Sequence, residues 1–275
     1  MAIITISREM GSGGIPISHK AAEKLGYTLV DGETLKKAAP AYGLTPEALE
    51  KADEKPPAFV ESLDEQMEVD LHQIELIVLE YALKGNVIIY GRGGQDLLKD
   101  IGSVFRVRII APFEERVERW AEREWLDPDL ARILVRKSDQ QRAGFIKYYF
   151  DRDWVDPLHY DLVINTSRLS EEMAVNLICN GVRDQNLTEQ KGTSKKILSD
   201  LILRKKAEIA IASSSAVEGH HLNIEAKNGI ITLSGHVHGE EGRRTVLAAV
   251  RAVEGARDLV DQLKVIEYRT YPKEH

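Results

Sequence analysis

Ile3-Ile4-Thr5-Ile6-Ser7-Arg8-Glu9-Met10-Gly11-Ser12-Gly13-Gly14 is the stretch whose reading decides the fold. Its apolar run predicts a short buried strand. Three glycines in four residues follow, and they predict a tight turn whose backbone N–H groups point at one spot. A helix from about Gly14 to Leu25 comes next and adds the positive end of its dipole. Together these make a cradle for phosphate. The pattern is an incomplete G-x-x-x-x-G-K-S/T phosphate loop. With Gly13 as its last glycine, Gly14 stands where the lysine belongs and Ile15 where the Ser/Thr belongs. Arg8, next to the turn, is a candidate substitute for the lost charge. Lys20 is a second, and reads equally as a solvated helix residue.

Outward from this stretch, short apolar strands alternate with helices. Tyr27 to Val30 reads as a strand ending in Asp31-Gly32, followed by helices over 32–39 and 45–52. Pro56-Pro57 breaks the chain. A long amphipathic helix is predicted over 58–83, with Val60, Leu63, Met67, Leu71, Ile74 and Val78 on one face. Asn86 to Tyr90 is a third strand and leads at once into Gly91-Arg92-Gly93-Gly94. Val104 to Ile110 and Tyr160 to Ile164 are the fourth and fifth. Helices start at Pro112, at Asp127-Pro128 and at Ser170. This alternation predicts an α/β domain: a five-stranded parallel sheet with helices on both faces. Function in such sheets sits at the C-terminal strand ends, where Gly11 to Gly14, Asp31, Arg92 and Asn165 all fall.

Composition narrows the function class. At 275 residues the length prior allows about two domains. Residues 195–275 carry 13 Lys+Arg against 11 Asp+Glu, a balance of +2, which leaves −9 of the net −7 for residues 1–194. Such an acidic module is a poor bulk match for nucleic acid, so any phosphate binding needs a local basic cluster. No segment reaches the ~18 apolar residues of a membrane span, and the first residues lack the basic start and apolar core of a signal peptide. With the single cysteine, Cys179, this points to the cytoplasm. Cys179 lies in an apolar helical pattern and reads as a buried structural thiol.

Three further groups carry candidate chemistry. Asp31, with Lys37 beyond it, reads equally as a ligand group or as the cap of the next helix. Arg92, held between glycines at a strand end, can present its planar fork to a phosphate. Arg132, Arg136, Asp139 and Arg142 recur at spacings of four, three and three, so they share a helix face. A solvated surface helix has that pattern, and so does a lid that closes on a triphosphate and offsets its charge. His220, His221, His236 and His238 have no Cys or carboxylate at ligand spacing and read as surface histidines, so no metal site is expected.

The pattern changes near residue 184. Asp184 to Ser194 is polar and reads as a linker. A helix over 195–212, strands over 220–226 and 230–237, a helix over 240–253 and a strand over 256–266 make a small α+β domain. Asn228-Gly229 marks its hairpin. The division expected is 1–183, linker 184–194, second domain 195–268 and tail 269–275.

Residues 1–183 resemble the cytidylate-kinase-like family of P-loop kinases. The resemblance rests on Ile4 to Gly14, Ala22 to Gly26, Asp31, Ile89 to Gly93, Ala111 to Arg119, Arg136 to Ala143 with Lys147 to Tyr149, and Tyr160 to Ser167. It implies a nucleoside monophosphate kinase fold with a helical lid, using ATP and Mg²⁺. Gly11, Ser12, Gly13, Gly14 and Ile15 would then hold the donor phosphates. Asp31, Lys37, Arg92 and Asp139 would face the acceptor nucleotide, and Arg8, Arg132, Arg136 and Arg142 would supply catalytic charge. Cytidylate kinases keep the loop lysine and its Ser/Thr neighbour, both absent here. Residues 197–267 look like a BON domain, carried by Asn228 to Val237, Arg244, Val253 to Gly255 and Leu263 to Val265. That likeness implies a regulatory role and a protein or phospholipid partner. The expected function is ATP-dependent phosphotransfer to a nucleoside monophosphate or related acceptor. The alternatives are a non-catalytic nucleotide sensor and a BON-led interaction protein.

Overall fold

A run of β-branched residues on each strand forms the centre of the first domain. The computed structural model describes residues 2–51, 54, 65–214 and 222–266. Strands β1 (Ile3–Arg8), β2 (Thr28–Val30), β3 (Val87–Tyr90), β4 (Val104–Ile110) and β5 (Leu162–Asn165) lie in the order β2-β3-β1-β4-β5. All four pairings are parallel, with Ile3 opposite both Val87 and Val104. Successive side chains on β1 enter different cores, Ile3 on one face of the sheet and Ile4 on the other.

Helices cover both faces. On one side α1 (Gly14–Leu25) and α8 (Glu171–Gly181) pack Ile17, Ala21, Val175 and Ile178 against Ile4, Ile88 and Ile109. Cys179 is buried in this layer, and burial pushes its thiol pKa up. On the other side lie α2 (Gly32–Ala38), α3 (Pro46–Lys51) and α4 (Glu65–Lys84). The long helix expected over 58–83 is α4; its first expected turn, with Val60 and Leu63, lies outside the described residues, as does Pro56-Pro57. A short helix α5 (Gly94–Leu97) follows β3. Two long helices, α6 (Phe113–Glu124) and α7 (Pro128–Phe150), pack on each other through Val117, Ala131 and Val135.

The stretch 184–194, read as a linker, is helical. It forms α9 (Gln185–Glu189) and the first turn of α10 (Lys191–Ala212). Asp184 caps α9, which is why so polar a stretch folds locally. Two cores share α10. Leu198 and Ile202 join the first domain's core beside Ile74 and Ile77 of α4, whereas Leu203, Ala207 and Ile211 join the second domain's core. The second domain completes itself with β6 (Leu222–Lys227), β7 (Ile230–His238), α11 (Gly239–Arg251) and β8 (Asp258–Ile266). Strands β6 and β7 are antiparallel across the Asn228-Gly229 turn, whose residues both have positive φ, and β8 runs parallel to β7. His220, His221 and the tail lie outside the described residues. Among the described residues no helix is long and apolar enough to cross a membrane, and no group of three or more His, Cys, Asp or Glu could hold a metal.

Candidate functional site

The glycine loop joins β1 to α1, and its conformation needs its glycines. Gly11 and Gly13 have φ of +80° and +84°, and Gly13 is the N-cap of α1. A Cβ on Gly11 would lie 2.5 Å from the carbonyl oxygen of Arg116. The amides of Gly11, Gly13, Gly14 and Ile15 meet no acceptor among the described residues. They sit at the positive end of a twelve-residue helix, which is the arrangement that holds an anion. Ser12 is turned inward: its Oγ donates to the Glu9 carbonyl at 2.7 Å, and its own carbonyl accepts from Thr166 Oγ1 at 2.9 Å. Ile15 is 39% exposed beside the loop.

Buried charge from other elements clamps this loop. Met10 N–H donates to Asp139 Oδ1 at 3.0 Å. Arg116 on α6 donates to Asp139 at 2.7 Å, to the Met10 carbonyl at 2.9 Å and to the Ala111 carbonyl at 2.9 Å. Glu9 meets Arg116 at 3.3 Å and Arg108 at 3.4 Å. Arg108 lies against Trp154, whose indole N–H reaches Ser7 Oγ at 2.9 Å. Asp139, expected to face the acceptor, therefore fixes the loop. Glu9, Arg108 and Trp154 were not singled out from the sequence, and Arg116 was noted only as a basic residue near the arginine row. Arg108 falls inside an apolar strand, and a charge in such a run was the available signal.

Arg8 occupies the space that a side chain at position 14 would need. A Cβ on Gly14 would lie 2.9 Å from the Cβ and Cγ of Arg8. The Arg8 guanidinium stacks 4.2 Å from the Tyr90 ring centre and reaches both oxygens of Glu54, at 3.0 and 2.8 Å. Its charge is thus committed to Glu54 rather than left for an anion in the loop. Glu54 is 8% exposed and also accepts from Arg142 Nε at 3.0 Å and from Arg92 N–H at 2.5 Å. Burial alone would raise its pKa, but Arg8, Arg142 and Arg92 with its amide hold it at about 2.

The other expected residues divide by position. Arg92 stands at the end of β3 with φ +59°. It lines a cavity of about 210 Å³ with Phe145, Tyr148 and Tyr149 from α7 and Glu68, His72 and Glu75 from α4. Arg142 is mostly buried beside this wall, its Nη1 on Ser138 Oγ at 2.6 Å. Arg132 pairs instead with Glu114 of α6 at 2.6 Å, and Arg136 is exposed over Phe113. The arginine row is therefore split: Arg142 faces the loop region, and Arg132 ties the two long helices together. Asp31 caps α2 through Thr34 N–H at 3.0 Å, the local role weighed for it. Lys37 is exposed on the last turn of α2. Lys20 pairs with Glu171 of α8, away from the loop.

The wall of the 210 Å³ cavity continues into the second domain. Lys205 of α10 meets Glu75 at 2.6 Å and Glu208 at 2.5 Å, and its Nζ lies 3.0 Å from His72. Burial raises the Glu75 pKa, but His72 and Lys205 outweigh it and hold Glu75 at about 2.

Comparison with known proteins fits this geometry. The cytidylate kinase-like family model matches residues 3–168, and the BON domain model matches residues 199–267. A cytidylate kinase from Natronomonas pharaonis is 32% identical over 171 residues, covering 62% of this chain and 83% of that protein. One from Ignicoccus hospitalis is 32% identical over 181 residues, covering 65% and 97%. An uncharacterized protein from Eubacterium ventriosum shares the fold, with a TM-score of 0.54 at 22% identity over 67% of this chain and all of that one.

Proposed function

The chain belongs to the cytidylate kinase-like family and carries a BON domain, and on that footing we propose that it transfers the terminal phosphoryl group of ATP to a phosphorylated acceptor such as a nucleoside monophosphate. The observation that carries this reading is the set of loop amides, Gly11, Gly13, Gly14 and Ile15, that no described residue accepts from. They suit the donor phosphates, and the glycines let the backbone approach closely. The acceptor suits the 210 Å³ cavity: its ring lies against Tyr148, Tyr149 and Phe145, with polar contacts from Glu68 and His72. Arg92 and Arg142 lie between that cavity and the loop, joined through Glu54. A phosphate acceptor needs no general base, because positioning and electrostatics supply most of the rate. Residues 1–183 would be the phosphotransfer unit and 195–268 the regulatory one.

Magnesium does not fit residues of the loop. Ile15 offers no oxygen where cytidylate kinases have a hydroxyl, and Ser12 is fully buried with its Oγ turned onto the Glu9 carbonyl. No step is assigned to a protein-held metal.

One observation favours the non-catalytic sensor as a second reading. Arg8, the arginine against Gly14 of the loop, is neutralised by Glu54. A coupled ADP-release assay with ATP and a panel of nucleoside monophosphates separates the two. Turnover with one acceptor is the expected result. Micromolar ATP binding by calorimetry with no turnover on any acceptor would establish the sensor.

A further inference from the structure

The seam between the two domains holds a larger cavity, of about 550 Å³. Its floor is apolar, made by Leu83 at the end of α4 and by Ile202 and Leu203 on α10. Lys195, Lys196 and Lys206 of α10 and Arg257, in the turn before β8, surround that floor. Asp200 and Glu254 are the two carboxylates that line the same space. Four cations against two anions is a local excess in a chain of net charge −7. Lys206 is 3.9 Å from Glu80. Lys195, Lys196 and Arg257 have no ion-pair partner among the described residues.

The placement of these groups follows from the fold. Lys195, Ser199, Ile202 and Lys206 are spaced by four, three and four, so one face of α10 presents them together. Opposite stand two turns of the second domain. Arg257 N–H donates to the Gly229 carbonyl at 2.7 Å, which ties the hairpin turn to the turn before β8. The Arg257 side chain lies over Gly229, where a Cβ would meet its Cδ at 3.0 Å. Gly255, with φ +96°, leaves its backbone bare toward Leu203, and a Cβ there would lie 3.9 Å from Leu203 Cδ1. An apolar floor ringed by unpaired cations, with Ser199 and Asn228 as polar neighbours, fits a ligand that has a flat ring and an anionic tail. Bare phosphate would leave the floor unused.

We propose that this interdomain cleft binds a nucleoside phosphate, with the base on Leu83, Ile202 and Leu203 and the phosphates on Lys195, Lys196 and Arg257. The cleft lies apart from the glycine loop, so the proposal stands whether or not the loop transfers phosphate. Both domains contribute walls, so the ligand favours the docked arrangement, and α10 carries that preference to α4 and the cavity beside Arg92.

Two full-length variants separate this cleft from the loop. Ile15→Asp places a carboxylate at the mouth of the loop and repels phosphate there; Ile15 is 39% exposed, so the fold tolerates it. The second variant combines Lys195→Glu, Lys196→Glu and Arg257→Ala, all exposed positions. ATP is titrated by calorimetry, with hydrogen exchange read on the same samples. I15D is expected to keep one ATP site, with protection in 195–206, 228–229 and 254–257. The triple variant is expected to lose that protection and to bind at this site at least ~10-fold more weakly, with an unchanged circular dichroism spectrum. Absence of ATP protection in those segments of I15D overturns the proposal, and so does a triple variant with the same protection as wild type. The same exchange experiment with phosphatidylglycerol vesicles tests a lipid source; protection by vesicles and not by ATP also overturns it. Failure of I15D to weaken the loop site would count against the loop reading alone.

Discussion

Arg8 and Gly14 compete for one volume: a Cβ on Gly14 would lie 2.9 Å from both the Cβ and the Cγ of Arg8. A large side chain at the start of the loop therefore excludes one at its end. The bare backbone at position 14 and the placement of Arg8 are therefore linked. Restoring the lysine alone should fail. Gly14→Lys is expected to cost roughly 1–3 kcal/mol through overpacking, visible as a lower Tm. In a double-mutant cycle with Arg8→Gly, the two changes should be non-additive by at least ~0.5 kcal/mol. Additive Tm changes would show that the positions are independent.

Glu54 should make the protein acid-sensitive. Its folded pKa of about 2 lies below its ordinary 4.5. A depressed carboxylate stabilises fully above its unfolded pKa, so this contribution is complete above pH 4.5 and is lost as pH falls toward 2. Glu54→Gln leaves Arg8 without its counter-charge, while Arg142 keeps Asp139 at 3.9 Å, and should cost about 3 kcal/mol at neutral pH. Urea unfolding at several pH values checks both points. The variant should lack part of the wild-type loss of stability below pH 4.5; equal slopes would remove Glu54 as the cause.

Asp139 should act on the donor without touching it. Its carboxylate holds the Met10 amide at 3.0 Å and Arg116 at 2.7 Å. Asp139→Ala should weaken ATP binding by about tenfold, one charge-assisted contact's worth. The affinity for an acceptor measured alone should barely move. Equal losses for both ligands would place Asp139 in the acceptor wall.

Arg92 should affect the acceptor instead. Arg92→Ala keeps the backbone amide that binds Glu54 and removes the fork from the 210 Å³ cavity. The acceptor Kd or KM is expected to rise about tenfold or more, with Tm nearly unchanged. A large drop in Tm with unchanged KM would make the side chain structural.

Lys205 should couple the two domains. It is 5% exposed and meets Glu75 of α4 and Glu208 of α10. Lys205→Met removes the cation that bridges the two carboxylates, leaving Glu75 to His72 and Glu208 to Arg204, and should cost about 1.5–3 kcal/mol. Calorimetric melting is expected to change from one transition toward two. A single sharp transition at an unchanged Tm would mean that apolar contacts alone dock the domains.

Much of the architecture was legible in the sequence. The five strands were found within a residue or two because each is a short apolar run closed by a turn or helix signal. The glycine cradle was legible for the same local reason. The helices in the segment 184–194, read as a linker, were not legible because they carry little apolar periodicity and draw on a cap at Asp184. The row at 132–142 was seen as one face, yet of its members only Asp139 and Arg142 turn toward the loop region. Helical spacing gives a face and not what that face meets.

By itself, then, the sequence determined the order of elements, the glycine loop between β1 and α1 and the absence of a lysine in it, all set by patterns spanning a few to some twenty residues. Only the tertiary structure decided which charges meet. Arg8 pairs with Glu54 across 46 positions, Met10 with Asp139 across 129, and α10 is divided between two cores. Buried ions are costly unless paired, so the folded chain must bring these groups together. The pairing partner is chosen by proximity in space, on which the spacing along the chain is silent.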